Sequence, residues 1–145
     1  MRKTKKLARK KTSRKQKIDW MEANAACEAL GPGAESLARD MVTRMAEKWT
    51  LWTLAVLAEA GGPLRFSRVM ERVEEVSQKS LTKTLRQLER DGLVTREVFP
   101  EVPPRVEYEA TALGLEMLEQ VHPLWMWAVE NLERFQAAQA EFDGR

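Results

Sequence analysis

Residues 77–96, SQKSLTKTLRQLERDGLVTR, decide how this chain is read. At 100° per residue the stretch has two unlike sides. Leu81, Leu85 and Leu88 fall at i, i+4 and i+7 on one narrow face. Lys79, Thr82, Lys83, Arg86 and Arg90 fall within an arc of roughly 100° on the other side. The leucines predict a helix locked to a core, and the cations suit phosphates and base edges. A solvated surface is an equal reading of this helix alone, so the flanking sequence must decide. Ser77 is a candidate N-cap, and Asp91-Gly92 predicts the stop.

Upstream, Phe66, Val69, Met70 and Val73 repeat with helical spacing, and Glu74-Glu75-Val76 makes a tight link to Ser77. Leu64 to Phe66 predicts a short strand. Before Gly61-Gly62-Pro63, residues 49–60 hold an apolar run, WTLWTLAVLA, which predicts a helix at the domain centre. Trp49, Trp52 and Phe66 are read as core. Two further helices are expected at 18–30 and 34–46, separated by Gly31-Pro32-Gly33. Downstream, Leu93 to Phe99 alternates and is rich in β-formers, PEVPPR makes a stiff turn, and Val106 to Ala110 returns as a second strand. Thr111 predicts the cap of a helix to about Val121. His122-Pro123 is expected to interrupt it, and a last helix runs to about Phe142.

Short helix, tight turn, cationic helix, strand, proline loop and strand, in that order, are a winged helix-turn-helix. The fold class is therefore mainly α with a small β-wing, and the apolar terminal helices are expected to carry dimerisation. KWTLWTLAVL, GPLRFSRV and SQKSLTKTLRQLERDGLVTREVFPEVPPRVEYEATALG resemble the HxlR-type transcriptional regulators, relatives of the MarR group, over about residues 36–130. The resemblance implies a bacterial or archaeal homodimer on a pseudo-palindromic operator in double-stranded DNA. The cationic helix would enter the major groove and the wing would follow the backbone or the minor groove. It places Ser77, Gln78, Lys79, Ser80, Thr82 and Lys83 at the reading end and Arg86 at phosphate. Arg65 and Ser67 would begin a supporting helix whose N-terminus can hold a phosphate. Arg96 would lie on the first wing strand, and Arg105 would be the wing's cation. Arg65 could equally pair with a carboxylate inside the domain, and Arg90 could only complement the helix end. Glu107 and Tyr108 are read as stabilising the wing.

Three departures from the family pattern stand out. The region a dozen residues before Lys48-Trp49, AESLARDM, lacks the cysteine that some members use as a redox sensor. Cys27 lies further upstream with no basic residue beside it, and is read as a buried, small apolar residue. Ala46-Glu47 replaces the usual glycine pair. The third departure is an N-terminal extension.

Charge divides the chain. Residues 1–17 hold 10 of the 24 Lys and Arg and none of the 22 Asp and Glu. The remainder has 14 basic against 22 acidic residues, a net of −8. Residues 1–17 are thus read as a disordered basic tail drawn to polyanions, 18–33 as an added helix, and 34–145 as the winged domain. Leu124, Ala128, Leu132 and Phe135 form a stripe on the last helices, widened by Trp125 and Val129. A homodimer interface explains so much terminal apolar surface, and Trp20 would join it.

With 43% hydrophobic and 32% charged residues and no long apolar run, the chain reads as soluble, cytoplasmic and nucleoid-associated, with no membrane partner. One His, one Cys and no phosphate loop argue against an enzyme, a metal site or a cofactor. His122 is read as a cap or surface residue. A small-molecule effector between dimer helices stays open, though no polar group marks a pocket. Two other readings remain: a non-specific DNA-coating or architectural protein driven by the tail, and a winged-helix protein-interaction module.

Overall fold

The computed structural model describes residues 18–145, so the basic tail lies outside the described residues. The described chain falls into two compact units, divided between Ala38 and Arg39 within a helix. In the first, α1 spans Trp20–Glu28, capped by the Asp19 carboxylate, which accepts from the Met21 and Glu22 N–H groups at 3.0 and 3.1 Å. None of its residues is buried. Cys27 is exposed, which corrects the expectation of a buried thiol: α1 has no inward side to hide it. Helix α2, Pro32–Met45, crosses from this unit into the second.

The second unit holds α3 (Lys48–Ala60), β1 (Leu64–Arg65), α4 (Phe66–Arg72), α5 (Gln78–Arg90), β2 (Val94–Phe99), β3 (Arg105–Ala110), α6 (Ala112–Glu130) and α7 (Leu132–Asp143). Its core joins Leu54 and Leu57 of α3, Val69 of α4, Leu81, Leu85 and Leu88 of α5, Val94, Tyr108 and Met117. Burying each of those leucines stabilises the fold by about 1.5–3 kcal/mol, which is what holds α5 with its cations outward. The sheet has the order β1-β3-β2, all antiparallel, with Leu64 opposite Tyr108 and Val94 opposite Ala110. Strand β1 ties the start of α4 to the wing.

Two expectations fail. Trp52 is not core: it is 38% exposed, edge-on to Trp125 at 5.1 Å. The α3 helix is apolar nearly all round because it has a second apolar side, turned away from the core. Pro123 does not break α6, which runs on to Glu130. Proline removes one hydrogen bond to the preceding turn. Leu118, against the core, and Trp125, against Trp52, flank the proline and hold α6 along α3. The break falls at Asn131, whose side-chain amide donates to the Trp127 carbonyl at 2.7 Å and accepts from Arg134 at 2.9 Å. An asparagine that satisfies the last carbonyls ends a helix more effectively than this proline.

The candidate nucleic-acid interface

Ser77 caps α5: its hydroxyl accepts from the Ser80 N–H at 3.1 Å and donates to the Ser80 hydroxyl at 2.9 Å. The Thr82 hydroxyl donates to the Gln78 carbonyl at 2.8 Å. Three of the sequence-predicted readers therefore spend hydroxyl bonds on α5 itself. Gln78, Lys79, Lys83 and Arg86 are exposed on the outer face, and the three cations make no ion pair with any described residue. Arg65, Arg90 and Arg96 are likewise exposed and unpaired among the described residues, so Arg65 has no internal carboxylate partner. Exposed guanidinium and ammonium groups left without carboxylate partners are able to attract a polyanion.

The wing differs from the rest. Arg105 is only partly exposed, with its guanidinium 3.1 Å from Glu101, 3.3 Å from Glu107 and 4.1 Å over the Phe99 ring. Register explains the crowding. Phe99 faces Arg105 and Glu97 faces Glu107 across the hairpin, and strand alternation puts Glu109 on the same side. That side carries three glutamates, and Arg105 moderates their repulsion. Arg65 and Ser67 meet the wing loop around a hollow of about 440 Å3 that Arg105 and Glu101 also line. Structure thus brings Arg65, Ser67 and Arg105 together, with Arg105 already held by carboxylates. Tyr108 is buried beneath the hairpin.

Two supports of α5 escape sequence reasoning. Asp91, its C-cap, is 7% exposed at the side chain; it takes a charged bond from Arg44 of α2 and a bond from Gln87 at 3.1 Å. The signal was the Asp of the helix stop, but its partner lies 47 residues away. Thr111, which caps α6 as the sequence predicts, is the second through its further bonds. Its hydroxyl donates to the Gly92 carbonyl at 2.7 Å and accepts from the Gly114 N–H at 3.1 Å, while its own N–H donates to Leu93 at 3.0 Å. One residue thereby fastens the end of α5, the start of β2 and the start of α6.

The α6–α7 stripe is open to solvent: Leu124, Trp125, Val129, Leu132 and Phe135 are each more than two-fifths exposed, and Ala128 is half-buried. Trp127 stacks edge-on to Phe135 at 5.7 Å. Trp20 is exposed on the first unit. Beside the stripe, Leu51, Trp52, Ala55, Leu118, His122 and Trp125 line a hollow of about 260 Å3 in which His122 is the polar group. Among the described residues no helix is long and apolar enough to cross a membrane.

Comparison with known proteins places this arrangement. The family described as HxlR-like helix-turn-helix matches residues 44–136. An HTH-type transcriptional regulator of Methanothermobacter thermautotrophicus is 43% identical over 86 residues, covering 59% of this chain and 64% of that protein, just under two thirds of its length. The Escherichia coli HTH-type transcriptional regulator YtfH is 36% identical over 103 residues, or 71% of this chain and 80% of its own. The solved structure of the ytfH regulator from Salmonella typhimurium superposes with a TM-score of 0.62 at 33% identity, covering 71% of this chain and 90% of that one.

Proposed function

The chain belongs to the HxlR-like helix-turn-helix family of transcriptional regulators, and on that premise we propose that it acts as a homodimer on a pseudo-palindromic operator. The observation that carries the reading is the set of unpaired cations on the outer face of α5, above a leucine face buried to within 1% exposure. Gln78, Lys79 and Lys83 on the first turns of α5 address base edges in the major groove. Arg86, Arg65 and Arg96 address phosphates, as do the hydroxyls of Ser67 and Ser80, while those of Ser77 and Thr82 donate within α5 and hold the reading end in shape. Arg105 shapes the wing more than it neutralises DNA, because two glutamates already hold it. A winged domain beginning at residue 34, an added helix at 18–33 and a basic tail at 1–17 complete the organisation, in a cytoplasmic, nucleoid-associated protein.

A second copy covers the apolar stripe. Leu124, Trp125, Leu132 and Phe135 are large exposed apolar side chains close together in sequence, of a kind that monomers seldom leave in water as a group. A twofold-related pair would set two α5 helices at successive major grooves, about 34–36 Å apart. Selecting bound duplexes from a random pool tests the proposal. Enrichment of an inverted repeat with half-sites one turn apart supports it. Binding without enrichment favours non-specific coating by the tail. Sedimentation of the wild type against Trp125→Glu/Leu132→Glu tests the dimer: a wild-type monomer refutes the interface.

A further inference from the structure

Lys83 lines two hollows on the outer side of α5. One, of about 610 Å3, runs along Arg86, Gln87, Glu89 and Arg90. The other, of about 390 Å3, lies between α5 and the start of α3, where Lys48 and Trp49 face Ser80, Lys83 and Thr84. We infer that this second hollow seats a backbone phosphate of the bound duplex, held by Lys48, so that Lys48 is a DNA contact outside the helix-turn-helix. The inference rests on the reading that α5 enters the major groove.

Three observations support it. Lys48 is exposed, makes no ion pair with a described residue, and has its ammonium 4.4 Å over the Trp49 ring. A ring face restrains the side chain without neutralising it, so the charge stays available beside Lys83. Second, Lys48 is the first residue of α3, at the positive end of the helix dipole. A cation there weakens its own helix, so the position is not explained by helix stability. Third, the charges around the hollow leave it cationic. Arg44 is engaged with Asp91, and the Glu47 carboxylate, which accepts from the Thr50 hydroxyl at 3.4 Å, keeps its charge in the lining. Lys48 and Lys83 together outweigh it and leave one net positive charge.

Lys48→Gln and Lys48→Arg in the full chain test this by titration of a 30-base-pair random-sequence duplex and of the selected operator across a salt series. Losing one phosphate contact lowers the log–log salt slope by about 0.9, which at 0.1 M salt is roughly an eightfold loss of affinity. Lys48→Gln is expected to lose that factor equally on both duplexes, with a melting temperature at or above wild type. Lys48→Arg is expected to retain wild-type affinity and slope. An unchanged slope for Lys48→Gln overturns the inference, as does a loss confined to the operator, which would make Lys48 a base reader. Failure of the underlying reading looks different: the wild type itself would bind neither duplex in a Lys83-dependent way.

Discussion

Gly114 is the residue whose substitution should separate packing from propensity most sharply. A Cβ there would lie 2.3 Å from the Leu93 carbonyl oxygen and 3.1 Å from a Leu54 methyl. Carbon and oxygen pack at about 3.3 Å, so α6 would have to retreat from β2 by about 1 Å. The Thr111 bonds to Gly92 and Leu93, now 2.7 and 3.0 Å, could not survive that shift. Two lost bonds cost about 1 kcal/mol each, or forced overpacking costs about 1–3 kcal/mol if α6 stays in place. Against this, alanine gains about 1 kcal/mol over glycine inside a helix. The net for Gly114→Ala is a destabilisation of about 1 kcal/mol if the two bonds are lost, and of up to about 2 kcal/mol if α6 is overpacked. At about 4 °C per kcal/mol, melting should fall by roughly 4–8 °C, measured by circular dichroism at one fixed chain concentration. A melting temperature equal to or above wild type would refute the reasoning, since propensity alone predicts that result.

Other perturbations address the site. Lys83→Ala should weaken operator binding by about 1–3 kcal/mol if the lysine reads a base; equal loss on operator and random DNA in a gel-shift titration would make it a phosphate contact instead. Deleting residues 1–17 should flatten the salt dependence while leaving operator preference intact. Loss of the preference would make the tail a reader. Glu75 in the turn before α5 has φ 63°, a left-handed conformation that costs a side-chain-bearing residue about 1–2 kcal/mol. Glu75→Gly relieves that cost against about 0.5–1 kcal/mol of added chain entropy. Urea unfolding should therefore show a gain of about 0.5–1 kcal/mol, and a loss would mean that the carboxylate has a role in the turn.

The α5 helix, its cap, its stop and the hairpin after it were legible because each is specified by neighbours in sequence. The leucine spacing, Ser77, Asp91-Gly92 and the alternating strands are all signals within a few residues. What the sequence hid depends on distant partners. Arg105 reads as a free wing cation until register brings Glu107 and the loop brings Glu101 against it. Trp52 reads as core because nothing local tells which side of an all-apolar helix faces the interior. Pro123 reads as a break because its local cost is visible and the packing on both sides of it is not. The thiol of Cys27 was placed inside for its residue type, but burial also needs a surface to pack on, and α1 offers no buried side.

Thr111 and Gly114 couple α6 to the end of α5 by close contact. They fix α6 directly to Gly92 and Leu93, the residues that join the reading helix to the wing. Asp91, one residue earlier, is tied to α2 through Arg44. The C-terminal end of α5 is thus clamped from two helices, while its N-terminal end follows a turn with Glu75 at φ 63° and is capped by Ser77. A rotation of α6 against α3 must therefore carry the far end of α5 with it, because a close-packed joint with a backbone contact cannot yield gradually.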